Sequence, residues 1–329
     1  MDVEQVVAAA QGGDEQAFGQ LVQAHQRELQ VHCYRMVGSF SEAEDLVQET
    51  FLRAWRRRES YAGRATFRAW LYRIATNACL DHLERHPRRP TPRAAGLPGE
   101  VSWLEPYPDH LLELAAPDET EPDALVVARE TIELAFLIAV QHLPPRQRAV
   151  LILRDVLGWP AAEAAELLDM SVPSANSALQ RARVTLRQNL PVERSDWAPA
   201  AAPTEQERAV LARFIEATER ADMAALGALL REDALFSMPP QPEWVWGRDV
   251  IIAGWSEVMT GPTAMGEFRC LPASVNGQPA VANYLRRPGE TVFRALALDV
   301  LRVHDGLVAE VTTFGDSYIA LCGLPATLD

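Results

Sequence analysis

Proline spacing constrains this chain more than any other feature of it. Between Pro87 and Pro122 eight prolines fall in 36 residues. Each fixes φ and removes a backbone donor, so neither a helix nor a sheet can be built through that stretch. Pro191, Pro199 and Pro203 repeat the interruption further on. The chain therefore reads as three folded parts, residues 1–86, 123–190 and 204–329, with linkers at 87–122 and 191–203. At 329 residues in total, each part is long enough to bury a core. Apolar spacing of period 3.6 runs through the first two, while the third passes from helices to alternating strands. The fold class is multi-domain: two all-α parts followed by an α+β part.

In the first part, SEAEDLVQETFLRAWRRRESYAGRATFRAWLYRIATNACLDHL (Ser41 to Leu83) reads as two helices around a short arginine-bearing loop. Ala43, Leu46, Val47, Thr50, Phe51, Ala54 and Trp55 form one apolar stripe, and Ser41 with Glu44 is the expected capping box. Glu42, Asp45 and Glu49 crowd the start of this helix and Arg53, Arg56, Arg57 and Arg58 its end, as the helix dipole favours. The second helix starts near Thr66 and turns Phe67, Trp70, Leu71, Ile74, Ala75 and Ala78 inward. Trp70, Arg73 and Asn77 share one face: an aromatic that can stack on a base, a cation for phosphate, and an amide for a base edge. Residues 51–93 hold 11 Arg against 3 acidic residues in a chain of net charge −14, and such a focused basic patch is the footprint of nucleic-acid binding. Residues 14–37 supply an amphipathic helix beneath, through Phe18, Leu21, Val22, Leu29 and Met36.

The second part resumes with a helical run from Asp123 to His142, then LPPRQRAVLILRDVLGW, then a helix-turn-helix. Ala161, Ala164, Ala165 and Leu168 give its first helix an inner face, Asp169 to Ser171 make the turn, and Val172 to Gln188 form the recognition helix. Ala175, Leu179 and Ala182 point inward. Ser174, Asn176, Ser177, Gln180 and Arg181 are left facing out, where Asn and Gln suit adenine and Arg suits guanine or phosphate.

EAEDLVQETFLRAW followed by GRATFRAWLYRIATNACLD resembles region two of the extracytoplasmic-function (ECF) sigma factors of bacterial RNA polymerase. The helix-turn-helix, with LPPRQR ahead and LQRAR within, resembles their region four. The resemblance implies that Asp45, Leu46, Gln48 and Glu49 dock on the β′ clamp of core RNA polymerase. It implies that Tyr61, Arg64, Phe67, Trp70, Arg73 and Asn77 open and read the −10 promoter element. The −35 element would be read by Ser174, Asn176, Ser177, Gln180, Arg181 and Arg183, with region four also on the β flap. Asn176 and Ala178 stand where many ECF proteins carry basic residues, which implies a weaker or unusual −35 contact. WLEPYPD (Trp103 to Asp109) is too aromatic for a mere spacer and resembles a motif of ECF sigma factors that bear a C-terminal extension.

In the third part, Thr204 and Glu207 cap a helix to Ala221, a second runs to Arg231 and a third spans Arg248 to Met259. Strands are expected at 267–275, 280–287, 291–303 and 307–314, the last two joined through His304-Asp305-Gly306, as a curled antiparallel sheet. DALFSMPP, WGRDVIIAGW and VLRVHDGLVAEVTTF resemble the SnoaL-like cone fold, whose members include cyclases and non-catalytic pocket domains. Trp244, Trp246, Trp255, Tyr284, Asp299 and Phe314 are the candidate core or pocket residues. Residues 195–329 hold 18 acidic residues and 10 Arg, a balance unsuited to DNA. The expected role is regulatory, through contacts with the sigma parts, rather than enzymatic. The alternatives are a SnoaL-like cyclase or isomerase with a DNA-binding appendage, and a repressor; the latter leaves the acidic face at Asp45 and Glu49 unexplained. Cys33, Cys79, Cys270 and Cys322 are scattered singly, so no metal site, disulfide framework or cofactor is expected. With no signal peptide or membrane span in the sequence, the expected location is cytoplasmic.

Overall fold

The computed structural model describes residues 3–63, 65–90, 101–113, 132–190, 204–241 and 244–329. They form two compact units, one of Met1–Val101 with Leu111–Pro199, the other of Ser102–His110 with Ala200–Asp329. Arg64 and residues 123–131, on which part of the sequence reading rests, lie outside the described residues.

The first unit opens with α1 (Val3–Gln11), a helix absent from the sequence reading, and α2 (Glu15–Val37). Asp14 caps α2, its carboxylate accepting from the amides of Gln16 at 2.9 Å and Ala17 at 3.0 Å. Gly38 ends α2 in the left-handed region at φ 77°, and a Cβ there would meet the Gln141 side chain at 3.2 Å, so two reasons favour glycine. Ser39 then caps α3 (Phe40–Arg56), accepting from the Glu42 amide at 3.2 Å. The expected Ser41–Glu44 box is thus displaced by two residues: buried Phe40 already belongs to the first turn, which leaves Ser41 inside the helix. α4 (Phe67–Arg85) begins as expected, with the Thr66 hydroxyl accepting from the Ala69 amide at 3.2 Å. The stripes of α3 and α4 are buried as their periodicity requires, each large side chain contributing about 1.5–3 kcal/mol.

α6 (Leu134–Gln141) is buried on every side, as a helix apolar all round must be. α7 (Pro145–Leu151) runs into a π-turn at Ile152–Val156. α8 (Ala161–Leu167) and α9 (Val172–Asn189) complete the unit, with Asp169 at φ 51° in the turn between them. Arg148 of α7 is buried, and its two terminal nitrogens donate to neutral acceptors. It donates to the Met36 carbonyl, to Gln141 Oε1 at 2.6 Å and to the carbonyls of Gln141 and Leu143 at 3.0 and 3.1 Å. The Met36 carbonyl sits in the last turn of α2, where helical acceptors lack an internal donor. Arg148 therefore ties the third-from-last helix of the unit to the end of its second.

The second unit contains α10 (Glu205–Glu219), α11 (Met223–Leu229), β1 (Leu230–Ser237), β2 (Trp244–Trp246), α12 (Arg248–Met259), β3 (Glu267–Val275), β4 (Gln278–Arg286), β5 (Phe293–His304), β6 (Leu307–Gly315), α13 (Ser317–Leu321) and β7 (Thr327–Leu328). Strand order is β2-β1-β6-β5-β4-β3, with β7 on β5. The Thr204–Glu207 capping box forms, and the β5–β6 hairpin turns on Asp305 and Gly306, at φ 51° and 76°. The sheet is mixed rather than antiparallel throughout, because β1 pairs with β6 in parallel. Arg231, Glu232 and Asp233 hide the alternation of β1, and its register shifts between Leu230 and Leu235. Val210, Phe214, Leu226 and Ile251 from α10 to α12 pack with Val281, Leu301 and Val311 from the sheet.

Residues 102–110, expected to be linker, are part of this second unit. The Tyr107 amide donates to Asn276 Oδ1 at 2.9 Å and its carbonyl accepts from the Asn276 amide at 2.8 Å. Pro108 bridges Val275. Asp109 accepts from the Gly277 amide at 2.8 Å through one oxygen and from the Ser274 hydroxyl through the other. The segment is stapled to the β3–β4 turn, and Tyr107 is wholly buried. A helical turn, α5 (Asp109–Glu113), follows.

Candidate nucleic-acid interface

Trp70, Arg73 and Asn77 occupy one face of α4, and all three are half-buried. Trp70 closes an aromatic cluster, its ring 5.4 Å from both Tyr61 and Phe67, which lie 5.5 Å from each other. The loop before α4 is held by the Tyr61 hydroxyl donating to the Ala65 carbonyl at 2.8 Å, and by the Gln11 amide donating to the Tyr61 carbonyl at 2.7 Å. α1 thus positions the loop. Tyr61, Phe67, Trp70, Arg73 and Asn77 are therefore gathered in one place, though Phe67 is buried beneath the cluster.

This face borders a groove of about 1020 Å³ whose other wall comes from Trp159, Glu163, Glu166 and Leu167. Arg73 Nη2 lies 2.7 Å from Asp169 Oδ1, and Trp159 packs on Tyr72 with ring centres 5.3 Å apart. The helix-turn-helix thus presents Glu163, Glu166 and Asp169 beside the arginines of the basic patch. These are carboxylates where phosphates would be expected.

On α9, Ser174, Asn176, Ser177, Gln180 and Arg181 are exposed. Ser171 caps the helix by accepting from the Ser174 amide at 3.3 Å. Arg183 differs: it is half-buried and grips Asp155 through two bonds of 2.8 and 2.7 Å, so its guanidinium is occupied within the fold. Ala178 is buried and is a core position rather than a missing basic contact.

On α3, Asp45 and Gln48 are exposed and Glu49 is half-buried, while Leu46 lies under the surface. Arg53 donates to Glu49 at 2.8 Å and to Asp81 of α4 at 2.8 Å. Leu52 is 51 % exposed and continues the i, i+3, i+4, i+7 row of Asp45, Gln48 and Glu49. Sequence reasoning passed over it, although an apolar residue in the polar row of an amphipathic helix is the signal that finds it.

In the second unit, Trp255, Asp299 and Phe314 line a cavity of about 600 Å³. Trp244, Trp246 and Tyr284 do not. On β2 it is Val245 that faces the cavity, so strand alternation sends both tryptophans the other way, and Trp246 is half-exposed. Asn283 faces the cavity, and its neighbour Tyr284 donates instead to the Pro325 carbonyl at 2.8 Å. His304 ends β5 beside Arg231 and Asp305, outside the cavity lining.

Residues 21–89 match the family model for Sigma-70 region 2, residues 134–186 that for Sigma-70 region 4, and residues 211–311 the SnoaL-like domain. The chain is 41% identical over 323 residues to ECF RNA polymerase sigma factor SigG of Mycobacterium tuberculosis (strain ATCC 25618 / H37Rv), with 94% of this chain and 85% of that protein covered. It is 30% identical over 297 residues to ECF RNA polymerase sigma factor SigJ of the same strain, with 87% and 88% covered. The crystal structure of M. tuberculosis SigJ matches with a TM-score of 0.61 at 25% identity, over 93% of this chain and 99% of that one. The chain belongs to the ECF RNA polymerase sigma factors. In this sigma factor α2 to α4 carry region two, α6 to α9 carry region four, and a SnoaL-like domain follows. Among the described residues no helix is long and apolar enough to cross a membrane, and no group of three or more His, Cys, Asp or Glu is placed to hold a metal ion.

Proposed function

We propose that this sigma factor docks on core RNA polymerase in the cytoplasm through Asp45, Gln48 and Glu49, with Leu52 as an apolar anchor on the β′ clamp. Region four sits on the β flap. Trp70 and Asn77 then engage separated bases of the −10 element while Arg73 and the arginine-bearing loop hold phosphate, and the exposed row of α9 reads the −35 element. The polymerase supplies the chemistry; the sigma factor supplies promoter choice and strand opening. The observation that carries this reading is the α4 face itself: a half-buried Trp on an aromatic cluster, with a cation and an amide at helical spacing beside it. Arg183 is left out of the reading set, because Asp155 holds it.

The groove facing α4 supports a second element. Glu163, Glu166 and Asp169 stand in for phosphate in the free protein, so region four covers the −10 face until polymerase draws the two regions apart. The SnoaL-like domain acts on promoter use through residues 102–110, which lie in the connector between regions two and four yet are stapled to that domain.

Reconstitution with core polymerase tests the docking. Reversal of both charges (Asp45→Arg, Glu49→Arg) is expected to weaken polymerase binding at least about tenfold, since misplaced like charges cost several kcal/mol, with helicity unchanged. Trp70→Ala and Asn77→Ala should leave closed-complex binding in place and reduce permanganate-detected strand opening, each stacked base being worth about 1–3 kcal/mol. Normal binding by the double reversal, or normal opening by Trp70→Ala, would contradict the assignment.

A further inference from the structure

The SnoaL-like domain holds an open cavity of about 600 Å³, within the range of small-molecule sites of about 300–1,000 Å³. Phe214, Phe236, Trp255, Phe268 and Phe314 supply aromatic walls, and Met238, Met259 and Met265 supply side chains that reshape easily. Val250 and Val258, both lining it, are 59% and 42% exposed, so its mouth is apolar as well. Among the described residues that line it there is no Arg, Lys or His, and Asp299 is the one charged group.

The polar end is built. Asp299 Oδ1 accepts from the Thr313 hydroxyl at 2.6 Å and Oδ2 from the Asn283 amide at 2.7 Å. The Cys270 thiol donates to Asn283 Oδ1 at 3.2 Å, which fixes the amide with its NH₂ toward the carboxylate. Asp299 and Thr313 are register partners on β5 and β6, so the pair sits on the sheet rather than on a loop. Burial pushes the Asp299 carboxyl up, against the pull of those two donors. A carboxylate among apolar walls costs stability that a leucine would not, and each of its oxygens keeps a further lone pair for a donor.

Gly254 supplies independent evidence. It lies in the interior of α12 and lines the cavity, and a Cβ built on it would meet nothing within 4 Å. A mid-helix glycine weakens the helix relative to alanine; here no neighbouring atom demands one. Gly254 is itself exposed, in one helical row with Val250 and Val258, so what its missing side chain preserves is the opening of the cavity mouth.

We propose that this cavity binds a neutral, largely apolar small molecule whose hydroxyl donates to Asp299. An anionic ligand is disfavoured by the lone carboxylate and the absence of a cation. Occupancy has a route outward: Phe314 packs on Tyr318 at 5.7 Å, and Tyr318 hydrogen-bonds Glu105 of the stapled connector segment. The ligand therefore meets a wall that leans on the segment joining regions two and four.

The test is titration calorimetry on the full chain with 2-naphthol, which is neutral and carries one hydroxyl, against 2-naphthoate, which is anionic. 2-Naphthol is expected to bind once per chain, and 2-naphthoate at least about tenfold more weakly. Asp299→Leu should cost about tenfold in 2-naphthol affinity, the loss of one charge-assisted hydrogen bond. Gly254→Leu, which narrows the mouth, should weaken 2-naphthol binding at least about tenfold while raising the melting temperature, which separates an obstructed cavity from a failed fold. No binding at about millimolar 2-naphthol would overturn the proposal. So would 2-naphthol affinity unchanged in Gly254→Leu, or 2-naphthoate binding as tightly as 2-naphthol.

Discussion

His32 lies wholly inside region two, with Nε2 2.9 Å from the Thr76 hydroxyl and its ring 5.0 Å from Tyr72. Burial, and then the Arg35 charge, push its pKa down to about 3 from 6.5. The folded state therefore keeps His32 neutral at pH values where the unfolded chain protonates it. Between 6.5 and about 3 the unfolded state binds the extra proton, so stability is full above pH 6.5 and falls as the pH falls. The slope approaches about 1.4 kcal/mol per pH unit below pH 6, and urea denaturation at a series of pH values is expected to show it in the native chain and a flatter profile in His32→Gln. No charge pattern marks this residue, because its neutrality comes from helices 44 residues apart in sequence meeting around it. The same holds for Arg148: in LPPRQR it reads as a solvated charge, which is where arginine normally sits. Burial and four hydrogen bonds are tertiary facts. Trp70, Arg73 and Asn77 were legible, since their shared face follows from spacing on a single helix.

At the scale of elements, α4 and the helix-turn-helix are joined across the groove by the Arg73–Asp169 pair at 2.7 Å. Both side chains are substantially exposed, and such pairs contribute about 0–1 kcal/mol. In the proposed masking, a contact of that strength opens readily once polymerase offers each region a better surface. Asp169→Ala combined with Glu163→Gln and Glu166→Gln is therefore expected to raise the affinity of the free sigma factor for a single-stranded −10 oligonucleotide by about two- to fivefold at low salt. Fluorescence anisotropy across a salt series checks this, and an unchanged affinity would remove these carboxylates from the masking role. Each helix of this pair was readable from its own caps and periodicity. Their facing acidic and basic surfaces were not, because a charge pattern on one element carries no address for its partner. The parallel β1–β6 pairing escaped for a related reason: a strand with three successive charged residues reads as loop until the neighbouring strand supplies its hydrogen bonds.

At the scale of the whole molecule, the connector between regions two and four is claimed in part by the SnoaL-like domain through Tyr107 and Asp109. Hydrogen bonds to a charged group are worth about 1.5–3 kcal/mol each, so Asp109→Ala is expected to release the segment, raise its protease cleavage about tenfold or more, and alter transcript yield in vitro. Limited proteolysis beside run-off transcription checks both. Removal of the SnoaL-like domain would also take away what buries Tyr107 and leave that aromatic in water. Local chemistry along the chain was enough for the long helices α2 to α4 and α9 to α10, for four of the strands, for the Asp305-Gly306 turn and for the exposed row of α9, but not for α1, α5 or α13. WLEPYPD already resembled a motif that goes with a C-terminal extension, and tertiary structure added that Tyr107 and Asp109 staple it to the last domain, that Arg183 serves Asp155, that Asp299 rather than Trp244 or Trp246 faces the cavity, and that Gly254 lies at its mouth. Periodicity and capping act over a few residues along the chain and can be read there, whereas burial, pairing and empty space depend on which distant segments arrive at the same place.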